Sequence, residues 1–177
     1  MKPLILKTIY TFARPKKITT MEKLDALNQV AEFHRTFRHP IEPRPLIPAE
    51  QRCRLRVALL AEELKQLENA IEDQDIVEVA DALCDLQYVL SGAVLEFGLG
   101  EHFKTLFDEV QRSNMSKACA TREEAEATVK YYEEEKGFDS YIVQADGHWL
   151  VYRRSDNKTL KSVSYSPADL KGILEGE

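Results

Sequence analysis

The sequence predicts a mainly α protein, in which an all-α helical bundle is followed by a small α+β module. Two observations carry that expectation. Apolar residues recur every three or four positions through most of residues 21–118, which is the periodicity of amphipathic helices. After Gly137 the residues alternate around Asp146-Gly147, a strong hairpin signal. We therefore expect an irregular tail over 1–20, the helical domain over 21–118 and the module, of unassigned role, over 121–177.

The helical elements can be bounded one after another. Four prolines between residues 40 and 48 indicate an extended linker after the first helix, since proline removes a donor and disfavours α geometry in its predecessor. Thr121 and Glu124 have the spacing of a capping box, which starts a later helix. The expected helices span residues 21–38, 50–72, 75–97, 101–113 and 122–136.

The module is expected to hold more than the hairpin. Residues 159–165 (TLKSVSY) predict a third strand, because apolar and polar residues alternate there. Ser166-Pro167 predicts the start of a last short helix over residues 167–174, since proline is favoured in a first helical turn.

Charge and cysteine content exclude some classes of protein. The net charge is −6 although residues 1–20 are purely basic, so the remainder is strongly acidic. A nucleic-acid-binding groove is therefore disfavoured, whereas a divalent cation suits surplus carboxylates. No apolar run is long enough to span a membrane. Three cysteines without CxxC spacing fit a reducing cytoplasm, and Cys84 is expected to be a small buried residue on an apolar helix face.

An acidic helix pair is the most informative part of the chain. Nine acids stand between residues 62 and 85 against one base, Lys65. The second helix carries two apolar stripes, which predicts a helix buried in a bundle, and Glu78, Asp81 and Asp85 fall in the wedge between the stripes. Carboxylates held together at the edge of a core repel one another, and bound cations relieve that cost. A solvated helix face is the alternative interpretation.

Magnesium suits such an arrangement. It prefers oxygen ligands and keeps several waters, so a few carboxylates with substrate phosphates complete its shell. Glu62 and Glu63 lie on a half-apolar face of the first helix, from which they can meet the acids of the second. A metal held there can bridge phosphate oxygens and orient an attacking water, while a carboxylate that is not a ligand can act as general base.

Several segments in order resemble one known superfamily. The stretch AEELKQLENAIEDQDIVEVADALCDLQYV resembles the MazG-like pattern of EExxE followed by ExxD and DLxY on the next helix. The lead-in EFHRTF with HPIEPRP and the trailing EVQRSNMSKA are also similar to members of this superfamily. It includes dimeric dUTPases and the phosphoribosyl-ATP pyrophosphohydrolase, and the resemblance covers roughly residues 21–118.

The resemblance implies an all-α bundle completed by dimerisation or higher homo-oligomerisation. It also implies Mg²⁺-dependent cleavage of a nucleoside triphosphate between the α- and β-phosphates, with Mn²⁺ as an alternative ion. By position, Glu62, Glu63 and Asp85 are implied to be catalytic metal ligands, and Asn114 and Lys117 match an NxxK motif that contacts substrate.

The chain departs from the pattern at two positions. The third acid of EExxE is Gln66, whose amide oxygen can still bind a cation but brings no charge, and Ala82 replaces the Glu three residues before Asp85. Asp81 or Glu78 can compensate. The full candidate metal set is therefore Glu62, Glu63, Gln66, Glu78, Asp81 and Asp85.

His34 is the remaining candidate, since it lies beside Phe33 and Phe37 on the first helix. A core-edge histidine is the commoner case, and a substrate contact is the alternative. For the whole chain, the alternative to an enzyme is a catalytically weak or inactive nucleotide- or metal-binding protein that acts through its C-terminal module.

Overall fold

The computed structural model describes residues 21–176, so the tail expected over 1–20 lies outside the described residues. The described part is mainly helical with one two-stranded sheet. Its elements are α1 (Ala26–Phe37), α2 (Glu50–Glu72), α3 (Ile76–Glu96), α4 (Phe103–Met115), α5 (Arg122–Lys136), β1 (Ser140–Ala145), β2 (His148–Arg153) and α6 (Leu170–Glu175).

The two longest helices, α2 and α3, form an antiparallel pair joined by a tight turn. Asp75 caps α3, since its Oδ1 accepts from the backbone N–H groups of Val77 and Glu78 at 2.9 and 3.2 Å. Helix α1 packs on α3, where Val30 and Leu95 are buried against each other. This packing leaves most of the length of α2 and α3 facing one another, which positions the acidic side chains.

The proline-rich linker crosses the carboxyl end of α3 instead of leaving the domain. The backbone N–H groups of Glu42 and Leu46 donate to the carbonyls of Leu95 and Phe97 at 3.0 and 3.1 Å. At Gly98 a Cβ would lie 1.9 Å from the carbonyl oxygen of Arg44, and its φ of 68° is left-handed. Only glycine therefore allows the linker to pass so closely.

The C-terminal module folds around the hairpin of β1 and β2. Asp146 and Gly147 both have positive φ, as the tightest two-residue hairpin turns require. Helix α5 covers the sheet, and Val151 and Cys119 are fully buried in the core between them. Helix α4 packs on α6, so the last helix of the predicted bundle is in contact with the module.

Two expectations for the module were wrong. Residues 159–165 make only an isolated bridge between Thr159 and Tyr152 and form no third strand. The chain turns away towards α5, where the N–H of Val163 donates to Oγ1 of Thr128 at 3.1 Å. The last helix begins at Leu170, later than Pro167 predicted, because Asp169 supplies its cap.

The prediction that α3 is buried on two apolar faces is wrong for one copy of the chain. Ile76, Leu83 and Leu90 are exposed, and so is Cys84, which was expected to be buried. The reason is that α1 and α2 cover only part of the circumference of α3. Within the described residues, no helix is both long and apolar enough to cross a membrane.

Candidate functional site

The acids of α2 and α3 come together around Glu63. This side chain is partly buried, and its Oε2 is inaccessible to solvent without a hydrogen-bond partner among the described residues. Desolvation raises the pKa of Glu63, and the charges of Asp85, Glu62 and Asp81 raise it further, in that order. The structure therefore places four of the candidate metal ligands close enough to interact.

Helical geometry explains this placement. Asp81 and Asp85 are four residues apart on α3, so they share a face. Because α2 and α3 run antiparallel from the turn at residues 73–75, Glu63 of α2 comes opposite Asp85 of α3. The same antiparallel pairing brings Arg52 of α2 to Glu96 of α3, about three turns further along both helices.

Gln66 and Glu78 lie nearer the turn. Together they line a shallow cavity of about 230 Å³ with Asn69, Asp73 and Asp75. Neither is among the groups that shift the pKa of Glu63. Gln66 and Glu78 thus border one small cavity, which lies at the end of the acidic face opposite Asp85.

The carboxylates around Glu63 can supply part of the ligand shell of a divalent cation. A buried carboxylate oxygen without a donor, next to three further carboxylates, is relieved by positive charge. Among residues 21–176, however, no three His, Cys, Asp or Glu side chains are grouped tightly enough to hold a metal by themselves. This donor set suits Mg²⁺, which takes few protein ligands and completes its octahedron with water and phosphate oxygens.

A cavity of about 230 Å³ adjoins the acidic face. Leu59 and Val89 line it, and these stand one helical turn from Glu63 and Asp85, about 6 Å along the helix axis. Its walls combine aromatic and cationic side chains, namely Phe33, His34, His39, Arg52, Arg56 and Tyr88.

Two of the residues that line this cavity, Arg52 and Arg56, form an ion cluster with the buried Glu96. Glu96 is 1% exposed and accepts hydrogen bonds from Arg52 and Arg56. Burial alone would raise the pKa of Glu96, but the two guanidinium groups outweigh it and hold the pKa below its usual value. Nε of Arg56 is buried without a partner in the described part of the chain. Sequence reasoning missed this cluster, although a lone Glu at the end of an apolar helix and two Arg four residues apart were visible signals.

His34 is a core histidine whose ring nitrogens both have protein partners. Nδ1 lies 2.8 Å from the carbonyl oxygen of Pro40, so it carries the proton, and Nε2 lies 3.3 Å from Nη2 of Arg56. Burial is the main cause of its lowered pKa. The structure thus gives His34 a role in shaping the cavity, and leaves only its ring edge for a substrate.

Asn114 and Lys117 lie at the carboxyl end of α4, beside the module. Nζ of Lys117 donates to Oδ1 of Asn114 at 2.7 Å. In the described residues no hydrogen bond or ion pair links either side chain to the carboxylates of α2 and α3. The Asn114–Lys117 pair is therefore held by its own hydrogen bond and by the end of α4.

Comparison with known proteins bears on the helical region. Residues 30–114 match the family described as phosphoribosyl-ATP pyrophosphohydrolase. This range contains most of α1, all of α2 and α3, most of α4 and every candidate carboxylate. Members of this family are typically dependent on divalent metals. The chain is also similar to an uncharacterized protein of Acanthamoeba polyphaga mimivirus, with 23% identity over 89% of this chain and 98% of that protein.

Proposed function

We propose that the chain is a Mg²⁺-dependent nucleoside triphosphate pyrophosphohydrolase, because residues 30–114 match the phosphoribosyl-ATP pyrophosphohydrolase family, which is part of the MazG-like all-α NTP pyrophosphohydrolase superfamily. It cleaves a (d)NTP between the α- and β-phosphates and releases a nucleoside monophosphate and pyrophosphate. The observation that carries this proposal is the buried, unpartnered carboxylate oxygen of Glu63 facing Asp85, Glu62 and Asp81 in the described structure.

The side chains divide the work. Glu62, Glu63, Asp81 and Asp85 hold Mg²⁺ or Mn²⁺, while Gln66 and Glu78 stand further along the same face. When bound, the ion supplies positive charge against the phosphate oxygens. The carboxylate oxygen of Glu63 that is not used as a ligand takes the proton from the attacking water, because the raised pKa of Glu63 makes it a better base than an ordinary glutamate.

The cavity next to the acids holds the nucleoside. Phe33 and Tyr88 meet edge to face with centroids 5.6 Å apart, and the ring of His39 stacks on Phe33 at 5.8 Å. A planar base fits against such aromatic walls, and the adjoining acids then face the phosphates. His34 contributes a ring edge to the same cavity.

A second copy of the chain is the proposed partner. Val57, Ile76 and Val77 on α2 and α3 are 68%, 76% and 70% exposed. Large apolar side chains that are exposed along two neighbouring helices are typical of an interface. A homodimer or higher homo-oligomer buries them and completes the bundle. The reducing cytoplasm predicted from the cysteines is part of the same proposal, since Cys53, Cys84 and Cys119 are all free thiols.

A panel of NTPs and dNTPs with magnesium, assayed for pyrophosphate, tests the activity. We expect release from at least one nucleotide and its loss in Asp85→Ala. Asp73→Ala is the matched control, because Asp73 is an exposed acid of the α2–α3 turn outside the group around Glu63. Equal release by the wild type and by Asp85→Ala would refute the proposed site.

A second candidate function follows from two positions. Ala82 is 3% exposed and cannot bind a cation, and Gln66 brings no charge. A binding protein that holds nucleotide or metal without turnover, and acts through its C-terminal module, accommodates both residues. Nucleotide binding without pyrophosphate release from any member of the panel favours this second function.

A further inference from the structure

Two lysines without acidic partners meet where α4 contacts the C-terminal module. Nζ of Lys117 binds the neutral Oδ1 of Asn114 at 2.7 Å. Nζ of Lys161 lies 4.2 Å from the ring centroid of Tyr165. Within residues 21–176 neither ammonium group makes an ion pair with a carboxylate, so the positive charge of both remains available to a ligand.

Tyr165 joins the two lysines. Its hydroxyl lies 2.9 Å from Oγ of Ser113 on α4, one residue before Asn114. The pKa of Tyr165 is lowered by the hydrogen bond with Ser113 and by the charges of Lys161 and Lys117. Both ammonium groups therefore lie near the same phenol, although they are far apart in the sequence.

A cavity of about 380 Å³ opens beside this cluster, lined by Lys161, Tyr165 and the rings of Tyr131 and Tyr132. The segment is held in place because the N–H of Lys161 donates to the hydroxyl of Tyr132 at 3.2 Å. The carboxylate of Glu124 is occupied by hydrogen bonds from Oγ of Ser162 and the N–H of Ala120.

We propose that Lys161 of the C-terminal module binds the phosphate chain of the substrate together with Lys117. The ligand class is a di- or triphosphate, since two compact ammonium charges without carboxylates recognise phosphate oxygens. Tyr165 is a positioning residue, which holds Lys161 beside α4 through its ring and its bond with Ser113. This inference rests on the proposed function, because the ligand is the substrate of that reaction and Lys117 enters as the substrate contact that the NxxK motif implies.

Calorimetric titration with inorganic tripolyphosphate and with pyrophosphate tests the inference. We expect the wild type to bind and Lys161→Ala to bind about tenfold more weakly. A tenfold rise in Kd corresponds to a loss of about 1.4 kcal/mol of binding free energy. Lys161→Arg retains the charge and most of the affinity. Lys158→Ala, an exposed lysine three residues earlier, binds as the wild type does. Wild-type affinity in Lys161→Ala, or no binding of either anion by the wild type, would overturn the inference.

Kinetics separate this inference from the proposed function. With an active nucleotide, Lys161→Ala raises KM, whereas the affinity for a nucleoside monophosphate, which lacks the distal phosphates, stays the same. If Lys161→Ala releases pyrophosphate with the KM of the wild type, the role of Lys161 is rejected and the proposed function stands. If the wild type hydrolyses no nucleotide but binds tripolyphosphate, and Lys161→Ala loses that binding, only the proposed function is rejected. Tyr165→Phe keeps the ring beside Lys161, so the affinity for tripolyphosphate should fall less than in Lys161→Ala.

Discussion

Replacing Glu96 with Gln removes the one negative charge from the ion cluster that it forms with Arg52 and Arg56. The side chains of Glu96 and Arg56 are 1% and 9% exposed, whereas that of Arg52 is 30% exposed and can reach water. Breaking a buried pair from one side leaves an uncompensated charge and costs about 3–5 kcal/mol. For a protein of this size that corresponds to a fall in Tm of roughly 6–20 °C.

Thermal unfolding at neutral pH measures this change, and Glu50→Gln is the matched control. Glu50 pairs with Arg54 on the same helix as Arg56, but both side chains are more than three-quarters exposed. Exposed pairs of this kind contribute about 0.5 kcal/mol or less. Equal shifts of Tm in Glu96→Gln and Glu50→Gln would refute the reasoning, because burial would then carry no penalty.

Three further predictions concern neighbouring groups. The pKa of His34 is lowered in the folded state, so the unfolded chain binds more protons than the folded chain. The stability that this difference contributes is present above about pH 6.5 and is lost as the pH falls below that value. Urea unfolding should show a smaller loss of stability at low pH in His34→Gln than in the wild type. A Cβ at Gly92 would lie 2.6 Å from Nη1 of Arg56, so Gly92→Ala should destabilise the fold by about 1–3 kcal/mol in the same assay. Asp85→Asn removes a like charge beside Glu63, so without metal its Tm should equal or exceed that of the wild type. Adding MgCl₂ should raise the Tm of the wild type but not that of Asp85→Asn. A rise that persists in Asp85→Asn contradicts the metal site.

Local patterns predicted most of the helices because their determinants are local. The 3.6-residue period and the capping box at Thr121 placed α5 at residues 122–136, as observed. The third strand failed because residues 159–165 are fixed by contacts with α5, such as that between Val163 and Thr128, which no local pattern encodes.

The same distinction holds for the candidate site. Periodicity alone placed Asp81 and Asp85 on one face, and the short turn made Glu63 their neighbour. The residue types of the buried cluster are visible in the sequence, but Glu96 and Arg56 are 40 positions apart, so their pairing is set by tertiary packing. The exposed apolar stripes of α3 were interpreted as a buried core because their periodicity does not show how much of the helix its neighbours cover.

Product analysis with magnesium measures the pyrophosphohydrolase activity most directly. Incubation of the wild type with its best nucleotide should yield nucleoside monophosphate and pyrophosphate in equal amounts. Neither product should form with a chelator present or with Asp85→Ala. Release of orthophosphate with nucleoside diphosphate, or undiminished pyrophosphate from Asp85→Ala, would contradict cleavage between the α- and β-phosphates at the carboxylates around Glu63.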